Sequence, residues 1–323
     1  MQILCMGEAL IDMLSTKGKP GVDENNESFR KFAGGAPANV AVAAAKLGGE
    51  SYLFGKLGKD QFGDYLLKTL KALGVNTRFT TYSDKGKTAL AFVGLDADGE
   101  RSFDFYIENA AHIDLSVKDL DDGLFACPRI VSFCSGSVSM PSLRDVTKEA
   151  IKGFKQAGSI LCLDINLRPA FWDDAALAPE KIDETARQVD FIKASKEELV
   201  ELYGEANIEG RIQSWLAAGV SLVLVTNGGE PVVFYSKDTQ GVFPTPDVNA
   251  VDTTAAGDAF VGGFLYQLSS QVTDCDSFKA WSQNAEEIMH ALQFATQCGA
   301  HAVSHYGAFD ALPTQQDIQQ QKA

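Results

Sequence analysis

Basic residues are scarce in this sequence. Lys and Arg total 28 against 43 Asp and Glu, a formal net charge of −15 over 323 residues. So acidic a surface repels polyanions, which argues against nucleic acid or an anionic membrane as a partner. No apolar run approaches the ~18 residues that suggest a membrane span. Nor does a basic and then apolar leader open the chain, so neither a signal peptide nor a membrane span is expected. The six cysteines, Cys5, Cys127, Cys134, Cys162, Cys275 and Cys298, are scattered and form no C-x-x-C. They are expected to be free thiols in a reducing cytoplasm, with no zinc site. His301 and His305 share a helical spacing but lack the Glu of H-E-x-x-H.

Other absences narrow the chemistry. There is no G-x-G-x-x-G dinucleotide fingerprint and no G-x-S-x-G nucleophile elbow. Gly86-Lys87-Thr88 imitates the end of a phosphate-binding P-loop. However, Thr81 stands where the first glycine belongs, and a strand pattern follows instead of a helix. What is present is ordinary globular material, 45% hydrophobic and 22% charged, which excludes a disordered chain. The length suits one large α/β domain or two smaller ones, and no linker or repeat divides it.

Short apolar strands alternate with helical patterns, the signature of a parallel sheet covered on both faces. Strands are expected at Gln2–Met6, Ser51–Leu57, Arg129–Cys134, Ser159–Asp164, Phe191–Ala194 and Ser221–Thr226. Helices are expected at Pro37–Leu47, around Phe62–Leu73, at Arg144–Gln156 and at Glu197–Tyr203. Two long helices, near Asp258–Leu268 and Ser277–Gly299, follow. One region breaks the alternation. Thr88–Leu95 and Glu100–Tyr106 flank the turn signal Asp96-Ala97-Asp98-Gly99, with Arg78–Tyr82 before them and Ser28–Ala33 as a further lone strand. These pieces suggest a small antiparallel lid beside the main sheet. The polar tail from Pro313 is expected to fray.

Two segments carry the chemistry. In Val251-Asp252-Thr253-Thr254-Ala255-Ala256-Gly257-Asp258, small residues run into an apolar helix. They leave backbone N–H groups open to an anion at the positive end of the helix dipole. Asp258 in the first turn reads either as an N-terminal carboxylate on a core helix or as a working group. In Phe32-Ala33-Gly34-Gly35-Ala36-Pro37-Ala38-Asn39, paired glycines permit close approach of a ligand, and Asn39 offers a donor and an acceptor for hydroxyls. A plain turn is the alternative. Thr226-Asn227-Gly228-Gly229 lies at the carboxyl end of a buried strand, where ligands sit in open α/β sheets.

Together these segments resemble the ribokinase-like, PfkB-type carbohydrate kinases, over nearly the whole chain and in the family's order. The resemblance also rests on Gly7-Glu8-Ala9-Leu10-Ile11-Asp12, the G-x-x-G-x-D-x-x-G stretch from Gly55 to Gly63, Asp164-Ile165-Asn166-Leu167-Arg168-Pro169 with Trp172, and Ser195-Lys196-Glu197-Glu198. It implies a three-layer α/β/α sandwich with a mainly parallel central sheet and a small antiparallel β lid. That fold would form a single domain over 1–323, with lid strands from about 10–33 and 78–110.

The implied reaction is transfer of the γ-phosphoryl of ATP to a sugar hydroxyl, a reaction governed by positioning and charge neutralisation. On this resemblance Asp258 is the base, kept ionised by its helix N-terminus, and Ala255, Ala256 and Gly257 hold the transferring phosphate. Asp12, Gly34, Gly35, Asn39, Tyr106 and Arg168 face the sugar, Arg168 alternatively touching phosphate. Ser195, Thr226 and Gly228 serve the nucleotide, with adenine against apolar residues near the last helix. Glu198 holds Mg²⁺ through water, and Asp252 and Thr254 are candidates for a monovalent cation such as K⁺. The sequence departs from the family at Ala255, usually Gly, and at Ser195, usually Asn.

Among subfamilies the chain is most similar to fructokinases. A 2-keto-3-deoxygluconate kinase comes next, then aminoimidazole riboside kinase and ribokinase. A non-catalytic sugar or nucleotide sensor is the alternative of a different class, and retention of Gly257 and Asp258 speaks against it. Dimerisation through the lid is compatible with its short apolar strands.

Overall fold

Buried residues along the first strand alternate between two cores. Ile3 and Cys5 enter one, Leu4 and Met6 the other, as the two-residue period of a strand buried on both faces requires. A computed structural model describes residues 1–16, 28–95 and 101–320. The Asp96–Gly99 turn lies outside them. The strands are β1 (Gln2–Met6), β2 (Leu10–Ser15), β3 (Phe29–Gly34), β4 (Ser51–Gly58), β5 (Thr80–Ser83), β6 (Leu90–Leu95), β7 (Arg101–Tyr106), β8 (Arg129–Cys134), β9 (Ile160–Asp164), β10 (Phe191–Ser195), β11 (Leu222–Asn227), β12 (Glu230–Ser236) and β13 (Gln240–Phe243). The helices are α1 (Ala36–Lys46), α2 (Gln61–Ala72), α3 (Pro141–Gln156), α4 (Ala178–Ala186), α5 (Lys196–Tyr203), α6 (Ile208–Ala217), α7 (Ala256–Gln271), α8 (Cys275–Trp281), α9 (Ala285–Val303) and α10 (Gln315–Gln320).

Among the described residues, nine strands form the central sheet in the order β13-β12-β11-β10-β9-β8-β1-β4-β5. All pairs are parallel except β11/β12 and β12/β13. The core shared by α1, α2, α7 and α9 covers one face, and the core shared by α3 to α6 the other. Chain direction across the sheet reverses at β1, which has β4 on one side and β8 on the other. Such a switch point opens a crevice at the carboxyl ends of the strands.

The second sheet has the order β3-β2-β6-β7. Its outer pairs are antiparallel, while β2/β6 is parallel. Asp60 ties this lid to the main layer. Its carboxylate accepts from the N–H groups of Phe62 and Gly63, starting α2, and from the N–H and hydroxyl of Thr88 just before β6. The Gly55–Gly63 stretch is therefore a structural staple of the lid.

Several sequence expectations need correction. Residues 78–82 do not join the lid: β5 pairs with β4 and forms the edge of the main sheet. The expected helix over 277–299 is two helices, because Asn284 caps a new start by accepting from the N–H of Glu286 and Glu287. The tail from Pro313 does not simply fray. It forms α10, anchored by Ile318, which is buried in the core. β12 and β13 carry weaker alternation and were not anticipated.

Small residues let α7 sit deep between its neighbours. A Cβ on Gly262 would fall 2.4 Å from the Ala43 methyl of α1, and one on Gly263 2.7 Å from Cys298 Sγ of α9. Overpacking here has nowhere to relax. Gly262→Leu is expected to destabilise the protein by about 1–3 kcal/mol. Urea unfolding should show this as a lower midpoint, and an unchanged midpoint would contradict the packing account.

Candidate active site

Asp258 is the third residue of α7 and only 6% exposed. Amides from two other elements hold its carboxylate. Asn39 of α1 donates from Nδ2 to Oδ2 at 2.7 Å, and Asn166, in the loop after β9, donates to Oδ1 at 3.2 Å. Asn166 adopts φ 38° to do so. In the sequence Asn166 stands out only as part of a motif, because residue type alone does not show its left-handed backbone.

Burial pushes the Asp258 carboxyl up, opposed by the Asn39 hydrogen bond and by the charges of Lys193 and Arg168. The helix N-terminus led to the expectation of a carboxyl held low, and burial acts in the opposite direction. A raised carboxyl is a stronger base than an exposed aspartate.

Of the residues expected at the sugar, Asp12, Gly34, Gly35 and Asn39 come together with Asp258, while Tyr106 and the side chain of Arg168 turn away. Asp12 on β2 is 8% exposed and pairs with Phe32 on β3, and its side chain reaches along the strand to Gly34. A Cβ on Gly34 would fall 2.1 Å from Asp12 Oδ2, so only glycine leaves the carboxylate in place. Gly35 takes φ 103° as α1 begins. Asn39 Oδ1 is buried without a partner, an acceptor that a hydroxyl would satisfy. Tyr106 does not join them. Directly paired residues share a sheet face, and the pairs Asp12–Ala91–Phe105 and Ile11–Leu90–Tyr106 lie on opposite faces. Tyr106 is 65% exposed and meets Phe92 edge-on. Phe105 takes the inner place and packs on Phe171, which also stacks with the buried His112.

Glu8, also missed as a site residue, is 5% exposed. Its carboxylate accepts from the N–H of Ala36 at the start of α1. Burial pushes both Glu8 and Asp12 up to about 7, with the Asp258 charge adding and Arg168 opposing.

On the opposite side, Ala255 precedes α7 in the left-handed conformation at φ 59°. A side chain there costs about 1 kcal/mol, which explains the glycine of most family members. Asp252 steadies the approach. Its Oδ1 accepts from Thr254 N and its Oδ2 from Gly307 N. Thr226 and the exposed Gly228 lie where β11 ends, Gly228 at φ 55°. Arg168 is exposed and turns back to donate to its own neighbour's carbonyl, Leu167 O.

Ser195 replaces the family's usual Asn with a reciprocal cap. Its hydroxyl accepts from Glu198 N, and Glu198 Oε2 accepts from Ser195 N. Glu198 Oε1 accepts from Leu167 N. With both oxygens so engaged, Glu198 suits an indirect role toward a cation. Nearby, Asp164 Oδ2 is buried and unpartnered. No cluster of three or more metal-type side chains occurs among the described residues. One orphaned carboxylate oxygen without a protein cage fits a Mg²⁺ held chiefly by substrate phosphates.

The geometry agrees with the comparisons. The profile of the pfkB family carbohydrate kinases matches residues 1–315. The chain belongs to this family. It is 38% identical to Fructokinase-2 of Zea mays over 97% of this chain and 91% of that protein. The structure of a fructokinase from Xylella fastidiosa with bound ATP superposes with a TM-score of 0.91 at 38% identity, covering 100% and 99% of the two chains. A double mutant of the Vibrio cholerae O395 fructokinase, in a fructose-, ADP- and potassium-bound form, gives 0.86 at 31% identity, covering 99% and 97%. The chain is thus a carbohydrate kinase of ribokinase-like fold. No helix among the described residues is long and apolar enough to cross a membrane.

The raised Asp12 value has a stability consequence. Its folded pKa of about 7 exceeds the ordinary 3.8, so its contribution to stability is full below the unfolded value and is lost as pH rises through the folded one. Asp12→Asn removes that loss. The melting temperature of the variant minus that of the wild type should be more positive at pH 8.5 than at pH 5. Equal differences at the two pH values would contradict a raised Asp12.

Proposed function

We propose that this protein is a fructokinase, transferring the γ-phosphoryl of ATP to a hydroxyl of fructose. The observation that carries the reading is the buried Asp258 at the start of α7, held by Asn39 and Asn166 and close enough to Asp12 for its charge to raise that carboxyl. The sugar hydroxyl lies between Asp12, Asn39 and the backbone at Gly34 and Gly35. Asp258 takes its proton as the oxygen attacks phosphorus. The N–H groups from Ala255 to Asp258 hold the transferring phosphoryl oxygens. Thr226 and Gly228 receive the rest of the nucleotide, and Arg168 swings from Leu167 O to the phosphates. Asp164, and Glu198 through water, would hold a Mg²⁺ ion, which would supply charge neutralisation along the phosphates.

Fructose is favoured over an acidic sugar by charge. Glu8, Asp12 and Asp258 all line the sugar side, where a ketodeoxygluconate carboxylate would meet them. The names of the similar proteins point the same way. We further propose that Asp252 and Thr254 border a K⁺ site, and that the outer lid face, with Phe29, Phe92 and Tyr106, joins two copies. The chain would act as one catalytic unit with its lid, in the cytoplasm. Six free cysteines support that setting.

A coupled ADP-release assay on fructose, ketodeoxygluconate, ribose and aminoimidazole riboside tests the reading. Fructose should give the highest kcat/KM. No turnover on any sugar would sink it, and a higher value on another sugar would replace fructose. Asp258→Asn should bind fructose normally and lose about 10²–10⁴-fold in kcat, whereas near-normal kcat would show that Asp258 is not the base.

A further inference from the structure

Lys193 interrupts an otherwise apolar buried strand. It is 4% exposed, and Phe191, Ile192 and Ala194 around it are fully buried. Its direct register partner on β9 is Asp164. The two side chains therefore leave the sheet on the same face, at its carboxyl edge. Lys193 Nζ donates to Asp164 Oδ1 at 3.0 Å.

Neither partner is satisfied by the other alone. An ammonium has three donors, and this bond is its only side-chain hydrogen bond among the described residues. Asp164 Oδ2 is buried with no partner at all. A buried pair left this incomplete is a poor stabilising device, because desolvation costs about as much as attraction returns. Its position suggests another purpose. A Cβ on Gly257 would fall 3.2 Å from Lys193 Nζ. The missing side chain at Gly257 leaves the ammonium pressed against the first turn of α7.

We propose that Lys193 is a positioning residue for phosphoryl transfer, fixing a positive charge beneath the α7 turn that holds the transferring phosphoryl group. Asp164 keeps it in place. The ammonium supplies from inside the fold the charge that this acidic surface lacks, while Arg168 stands outside and folded back. Because the charge sits under the γ-phosphoryl position, it favours ATP over ADP and the transition state over both. This inference rests on the kinase reading but not on the choice of sugar.

The test compares Asp164→Asn with the double variant Lys193→Met/Asp164→Asn. Both leave no unpaired buried carboxylate; in the first the amide oxygen introduced at position 164 still accepts from Lys193 Nζ, and the second lacks the ammonium. Kinetics use whichever sugar the wild type turns over fastest, and calorimetry measures ATP and ADP affinity. The double variant should have a kcat at least tenfold below that of Asp164→Asn, with sugar KM within threefold. It should also weaken ATP binding more than ADP binding. A smaller kcat difference, or equal loss for ATP and ADP, would overturn the proposal. If the wild type turns over no sugar, the kinase reading fails, while the ATP-against-ADP comparison still tests Lys193. Circular dichroism and melting confirm that each variant is folded.

Discussion

Asp258 has to remain ionisable while almost wholly out of water, and much of the structure is arranged to allow it. Burying an isolated carboxylate is costly enough that it normally protonates instead. Here Asn39 and Asn166 each satisfy one oxygen, and Lys193 and Arg168 lower the cost electrostatically. These four groups come from α1, the loop after β9, β10 and that same loop again. The environment of the Asp258 carboxylate is thus complete only after the two halves of the sheet have closed around β1. Gly262 and Gly263 contribute at a distance, since α7 must sit deep between α1 and α9 for its first turn to reach the crevice.

The same constraint reconciles an acidic protein with an anionic cosubstrate. Net charge acts over the whole surface and is screened within about 10 Å at ordinary salt. The proposed phosphate cradle would work at contact distance, through backbone N–H groups and a helix end. On the proposed reading, Glu8, Asp12 and Asp258 on the sugar side would accept from hydroxyls and disfavour an acidic sugar.

Much of this was legible in the sequence. The strand-helix alternation gave the main sheet because each central strand is buried on both faces. The small-residue run before Asp258 and the paired glycines before Asn39 revealed the site through the close approach they permit. What stayed hidden depended on register or burial. Tyr106 and Phe105 are both aromatic neighbours on one strand, and only the pairing of β6 with β2 shows that Phe105 faces inward. The edge position of β5 follows from β4, not from its own residues. Lys193 had a visible signal, a lone charge in an apolar strand, but its meaning required Asp164 beside it and Gly257 above it. The strength of Asp258 as a base was misjudged for the same reason. The helix dipole can be read from sequence, whereas the depth of burial cannot.

The central claim is that burial, more than the helix terminus, sets the proton affinity of Asp258. Carbon-13 NMR of protein labelled at the aspartate carboxyls tests it directly, with Asp258→Asn identifying the resonance. The account predicts that in the ligand-free protein this carboxyl titrates clearly above the ordinary aspartate value of about 3.9. Titration at or below that value would contradict it.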